Sequence, residues 1–392
     1  MEVGVIAARL IAFVIDGVEP KFDKDLCIDH DALYAFSKSH SVDNIISIAL
    51  NKLNIMPPQF AEDYELAYKI SVAREATQEL ETQDILEEFE CRGIKHMLLK
   101  GSVMKHLYPS PELRSMCDVD ILYDTAFFDE VEEIMLERGY VLHESDGYYV
   151  SYVRKPFMNF EFHEIVMNAD IPLYNAYFGN GFNHAVPDVG YRFKYTDEDF
   201  FVFMMAHFAK HYFLGGTGLR SLADIWLFLR KKPGLDMAAV NNKLKQIELD
   251  EFTQIIIGVT DVLFNGKAPE RLHDEVINYI FHSGTYGKQE HRAADGVTEI
   301  SKKQYVMRRL FPDREFMSIN YPAVKKYAFL LPVFWLIRLI SVAVKKGYKG
   351  SDVDMVMGLD SSQVDARKIP GRPYVAPWKA KERMTGNDKE SR

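Results

Sequence analysis

The 392-residue sequence predicts an α+β fold, with a small mixed sheet embedded in a mostly helical protein. Three observations support this. Apolar residues at helical spacing fill the first 90 residues and return after residue 197. Between those stretches the pattern changes to short segments alternating with period two. Gly93, Gly139 and Lys155-Pro156 mark the joints, where helices stop or hairpins turn.

Taken in order, residues 1–18 are apolar but carry Glu2, Arg9 and Asp16, and read as an ordinary helix rather than a leader. Asp29 to Leu53 keeps helical spacing without an internal proline and reads as one helical stretch, ended by Pro57-Pro58. A long helix follows from Ala61 to Arg92. Ile94–Leu99 is a short strand, Lys100-Gly101-Ser102 a tight turn, and Val103–Leu107 a short helix halted by Pro109 and Pro111. Asp118–Tyr123 alternates strictly, as a half-buried strand does. Phe127–Arg138 is a helix, and Tyr148–Arg154 with Phe157–Ile165 a hairpin. Helices are then expected over 198–213, 219–230, 236–264, 269–283 and 325–346. The domain boundaries that follow are 1–92 helical, 93–197 an α/β core, 198–357 a helical domain and 358–392 a disordered, proline-rich tail.

Lys plus Arg number 47 and Asp plus Glu 57, a net charge of −10. Such a chain is a poor general binder of DNA or RNA, because affinity for phosphate backbones comes from clustered cations. Three cysteines (Cys27, Cys91, Cys117) form neither a disulfide framework nor a CxxC knuckle, which fits a reducing cytoplasm. Residues 327–344 are 18 consecutive largely apolar positions. A spanning helix needs about 20, and this one carries Pro332 and a mid-span Arg338. It reads as packing on the protein, with peripheral contact at an inner membrane face as the alternative.

Chemistry concentrates in the middle third. Asp118 and Asp120, two apart on a strand, share a face. Two carboxylates that close repel unless a cation neutralises them, and Mg²⁺ or Mn²⁺ suits oxygen ligands; a polar edge strand facing solvent gives the same Asp-x-Asp. Gly101-Ser102 follows a strand and opens a helix, where free N–H groups receive phosphate. Glu161 and His163 share a face of a later strand. If it lies beside the first, Glu161 is a third carboxylate at one site, and the parts for phosphoryl or nucleotidyl transfer are assembled. His207 and His211 have metal-ligand spacing, but no further ligands follow, so they read as polar contacts. Arg220 and Asp224, also four apart, read as an intrahelical ion pair, and Cys117 as core.

These motifs, in this order, resemble the polymerase-β-like nucleotidyltransferase superfamily. The closer likeness is to its bacterial "nucleotidyltransferase family protein" group, largely of unassigned function. The resemblance rests on Leu99-Lys100-Gly101, Leu107-Tyr108-Pro109, Arg114, Asp118-x-Asp120, Glu161-Phe162-His163, His207 and His211, and Arg220 and Asp224, over residues 60–345. The gap from Ser102 to Asp118 is longer than in the typical superfamily motif, and a glutamate stands where aspartate is common. The resemblance implies that Asp118, Asp120 and Glu161 are catalytic and hold Mg²⁺ or Mn²⁺. It also implies that Gly101 and Ser102 bind the β- and γ-phosphates of an NTP, with Lys100, Lys105 and Arg114 as candidates to neutralise them. The expected reaction moves a nucleoside monophosphate to an acceptor hydroxyl or phosphate. The acceptor is expected to be a small molecule, sugar or protein rather than RNA. The rival readings are a toxin or defence protein using the same site, and a non-catalytic accessory protein docked on a membrane.

Overall fold

The computed structural model describes residues 2–17, 19–20, 28–145, 148–167, 171–213, 216–285, 314 and 327–335. The expected disordered tail lies outside them. The chain opens with helix α1 (Val3–Asp16), followed by α2 (His30–Ser39) and α3 (Asp43–Lys52). The single stretch expected over Asp29–Leu53 is therefore broken at residues 40–42. The cause is tertiary. Ser41 takes a left-handed φ of 52°, and buried His40 accepts a hydrogen bond from the Leu219 N–H at 3.0 Å while its Nε2 meets the Phe281 carbonyl at 3.2 Å. Helix α4 (Ala61–Arg92) runs 32 residues and stops at Gly93, whose φ of 73° is open to glycine at little cost.

The sheet comes next. Its strands are β1 (His96–Leu98), β2 (Val119–Tyr123), β3 (Val141–Ser145), β4 (Tyr149–Arg154) and β5 (Met158–His163), in the order β1-β2-β5-β4-β3. Only β2 and β5 run parallel, among otherwise antiparallel neighbours. Two short helices intervene, α5 (Lys100–Met104) and α6 (Phe128–Glu137). Alternation gives the sheet two different faces. One carries Val119, Ile121, Tyr123, Val150, Tyr152, Phe160 and Phe162, which pack with Ile85 and Phe89 of α4 and Val131, Ile134 and Met135 of α6. Each such side chain contributes about 1.5–3 kcal/mol of burial. Anchoring that face fixes the register and turns the acidic residues of β2 and β5 to the other side. Edge strand β3 was not expected, because all five of its residues are exposed.

After α7 (Pro172–Phe178) and a small ribbon of β6 (Ala185–Pro187) and β7 (Phe193–Tyr195), the chain returns to helices α8 (Asp197–Phe213), α9 (Leu219–Lys231), α10 (Met237–Gln246), α11 (Asp250–Thr260) and α12 (Arg271–Ser283). The stretch expected over 236–264 is split where Glu248 takes a φ of 55°. Met1–Lys210 and Thr217–Thr285 cluster as one unit, so the helices flanking the sheet in sequence share a body with it. A second unit holds His211–Gly216 and, among the described residues, Arg314 and residues 327–335. There, exposed Phe329 meets Tyr327 with ring centres 6.0 Å apart. No helix among the described residues is long and apolar enough to cross a membrane. Residues 336–344 of the apolar segment lie outside them.

Candidate active site

The parallel pairing of β2 with β5 aligns Asp120 directly with Glu161 and Leu122 with His163. One ligand atom each from Asp120, Glu161 and His163 falls within a 4.8 Å group. Asp118 sits one residue ahead of β2 and outside that group. Lys100 opens α5 with a left-handed φ of 45°, so the expected tight turn is already the first residue of the helix. A non-glycine residue held there costs about 1–3 kcal/mol, which the surrounding contacts must offset. Its ammonium donates to Asp120 Oδ1 at 2.6 Å.

Asp120 Oδ1 thus meets both a cation and an imidazole. His163 Nε2 lies 2.7 Å from Asp120 Oδ1 and 3.7 Å from Glu161. A carboxylate only accepts, so Nε2 carries the hydrogen and Nδ1 is left as a lone pair. That Nδ1 is buried with no hydrogen-bond partner. Burial lowers the imidazole pKa, and the Lys100 charge adds to the effect. Burial works against the charge of Asp120, but Lys100 and then His163 outweigh it and hold the carboxyl well below the usual range. Glu161 goes the other way. Burial, then Asp120 and Asp118, push its carboxyl up to about 8. Asp118 is raised for the same reasons, burial first and Asp120 second. In Lys100, burial is outweighed by Asp120, Asp118 and Glu161, so its pKa is raised. Two carboxylates that close, with one carboxyl driven to keep its proton, suit a divalent cation that would remove the repulsion.

The phosphate-side residues divide. Ser102 Oγ is buried and has no hydrogen-bond partner. Beside it, a Cβ on Gly101 would lie 2.3 Å from Arg114 Nη1 and 2.6 Å from Met116 Sδ, so the glycine admits the guanidinium to the turn. Lys105 is buried away in an ion-pair cluster, 2.9 Å from Glu75 and 2.7 Å from Glu79 of α4. Asp224 pairs with Arg114 rather than with Arg220, which donates instead to the Ser115 carbonyl at 2.7 Å. Cys117, expected in the core, is exposed, because it precedes the strand and its alternation.

Sequence reasoning named His163 but gave it no place in the site; its alternation with Glu161 was the signal. Lys210 of α8 was also missed. Its ammonium stands 5.3 Å from the Tyr148 ring centre and helps to lower the His163 pKa. His207 approaches Phe203, ring centres 6.2 Å apart, and neither it nor His211 belongs to the cluster around Asp120.

The model of a family described as uncharacterised nucleotidyltransferase matches residues 27–265, which takes in the sheet, the acidic cluster and helices α2 to α11. The chain belongs to this nucleotidyltransferase family. Its members are transferases of phosphorus-containing groups, and the candidate metal cluster of this member lies on the matched strands. No curated protein and no solved structure matches the chain.

Proposed function

We propose that the protein transfers a nucleoside monophosphate from an NTP to an acceptor hydroxyl or phosphate, with Mg²⁺ or Mn²⁺ as cofactor and pyrophosphate as the other product. The observation that carries this reading is the parallel register that sets Glu161 beside Asp120, with His163 within the same 4.8 Å group. Asp120 and Glu161 would hold the metal, with Asp118 reaching in from the residue before β2. When bound, the metal supplies charge stabilisation at the transferring phosphate and lowers the pKa of the attacking hydroxyl.

The chain's own residues do the rest. The Gly101-Ser102 backbone and the unpartnered Ser102 Oγ receive the β- and γ-phosphates at the start of α5. Lys100 and Arg114 offset phosphate charge. Glu161 takes the acceptor's proton at a carboxylate oxygen. His163 fixes the Asp120 carboxylate through Nε2. The net charge of −10 favours a small molecule, sugar or protein as acceptor over RNA or DNA.

Calorimetric titration with ATP, CTP, GTP and UTP tests the reading. Binding should need Mg²⁺ and vanish in EDTA. Equal affinity in both would remove the metal site from the account.

A further inference from the structure

We propose that Asp224 and Tyr108 are positioning residues that aim the Arg114 guanidinium at the Gly101 turn, where it recognises the outer phosphates of a nucleoside triphosphate. This rests on the nucleotidyltransferase reading above. Asp224 lies on α9, 110 residues from Arg114, and both of its oxygens are occupied. Oδ1 accepts from Tyr108 Oη at 2.9 Å and Arg114 Nε at 3.0 Å. Oδ2 accepts from Arg114 Nε at 3.1 Å and Nη2 at 2.7 Å. The Arg114 and Asp224 side chains are only 11% and 10% exposed.

A buried two-pronged pair of this kind fixes the plane of a guanidinium, not just its position. It uses Nε and Nη2 and leaves Nη1 facing the turn. The closeness is enforced, because a methyl group on Gly101 would collide with Nη1. The next residue offers a second donor, the buried and unpartnered Ser102 Oγ. Arg220, four residues before Asp224 on α9, holds the chain just after Arg114 by donating to the Ser115 carbonyl. Burial, with Asp224 adding to it, pushes the Tyr108 hydroxyl well above its ordinary pKa, so it remains a donor to Asp224. Helix α9 therefore reaches the Gly101 turn through the oriented Arg114 guanidinium.

The test compares NTP with NMP affinity by calorimetry in Mg²⁺, since their ratio isolates the contribution of the outer phosphates. Asp224→Asn puts an amide donor against the guanidinium and loses its aim. The ratio should fall about tenfold, the scale of one charge-assisted hydrogen bond, with NMP affinity unchanged. Tyr108→Phe should shift the ratio the same way by less, and Gly101→Ala should displace Nη1 and lower it too. Glu79→Gln, which cuts one of the Lys105 ion pairs, should leave the ratio alone. A purely structural role would weaken NTP and NMP together, or melt the protein without changing the ratio. Either result, or a wild-type ratio in folded Asp224→Asn, overturns the proposal. If Asp224→Asn does not fold, the ratios of Tyr108→Phe and Gly101→Ala decide. Failure of the wild type to bind any NTP would instead sink the nucleotidyltransferase reading itself.

Discussion

Replacing Asp120 by asparagine keeps the volume of the side chain and removes its charge. From the Asp-x-Asp pattern alone, the metal-free variant should gain stability, because a like-charge repulsion disappears. The structure reverses that sign. Asp120 is held well below the usual carboxylate range, so its charged form is favoured on balance, and its neighbours Lys100 at 2.6 Å and His163 at 2.7 Å are the reason. Removing one partner of a buried ion pair costs about 3–5 kcal/mol. Relief of repulsion from Asp118 and Glu161 offsets part, and Lys100 is 21% exposed and can turn toward water. The net loss should be about 2 kcal/mol, which for a unit of this size lowers Tm by about 4–8 °C. Thermal melts of the metal-free proteins read this directly, and Mg²⁺ titration should show the variant's metal affinity gone. A metal-free Asp120→Asn that melts above the wild type would reverse this balance. It would mean that repulsion among the carboxylates, and not Lys100 and His163, dominates the site.

Leu122→Asn is the contrast on the same strand. Leu122 is fully buried beside the chemistry, so an unpaired amide there should cost at least about 1–3 kcal/mol while turnover per folded molecule stays near normal; melts against rate at fixed folded fraction check it. Glu161→Gln should change how stability responds to pH. The Glu161 carboxyl is raised from 4.5 to about 8, so its protonated form is favoured in the fold. Its stabilising contribution is complete below pH 4.5 and lost as pH rises through 8. The metal-free variant should therefore gain on the wild type across that window, and a Tm difference flat with pH would contradict the assigned cause. Lys105→Met should lower Tm by stranding Glu75 and Glu79 yet leave NTP affinity within about twofold, since this cation faces α4. Weakened NTP binding at unchanged Tm would return Lys105 to the phosphate site.

What could be read from the sequence follows the range of each interaction. The β2 and β5 segments were legible because alternation is local, and one face of each is fully apolar. Their acidic residues then had to share the opposite face, and only the pairing of the strands remained open. β3 was illegible because Val141–Ser145 is exposed on both faces and alternates in nothing. The break between α2 and α3 left the apolar spacing intact, since it is set by His40 reaching Leu219 and Phe281. Asp224 was matched to the wrong arginine for the same reason. A partner four residues away is visible in a sequence, and one 110 residues away is not. Lys105 and Arg114 looked equivalent as candidates to neutralise phosphate charge. Only packing separates one enclosed by Glu75 and Glu79 from one pressed against Gly101.

The proposed transfer of the nucleotidyl group is placed at the Asp120–Glu161–His163 cluster. Its most direct measurement incubates the protein with cell extract and an NTP carrying label on the α-phosphate, or in parallel on the γ-phosphate, with Mg²⁺ or with EDTA. The α-label should move to an acceptor only with Mg²⁺, the γ-label should leave as pyrophosphate, and Glu161→Gln should abolish both. Transfer of γ-label to the acceptor, or undiminished α-transfer by Glu161→Gln, would contradict it.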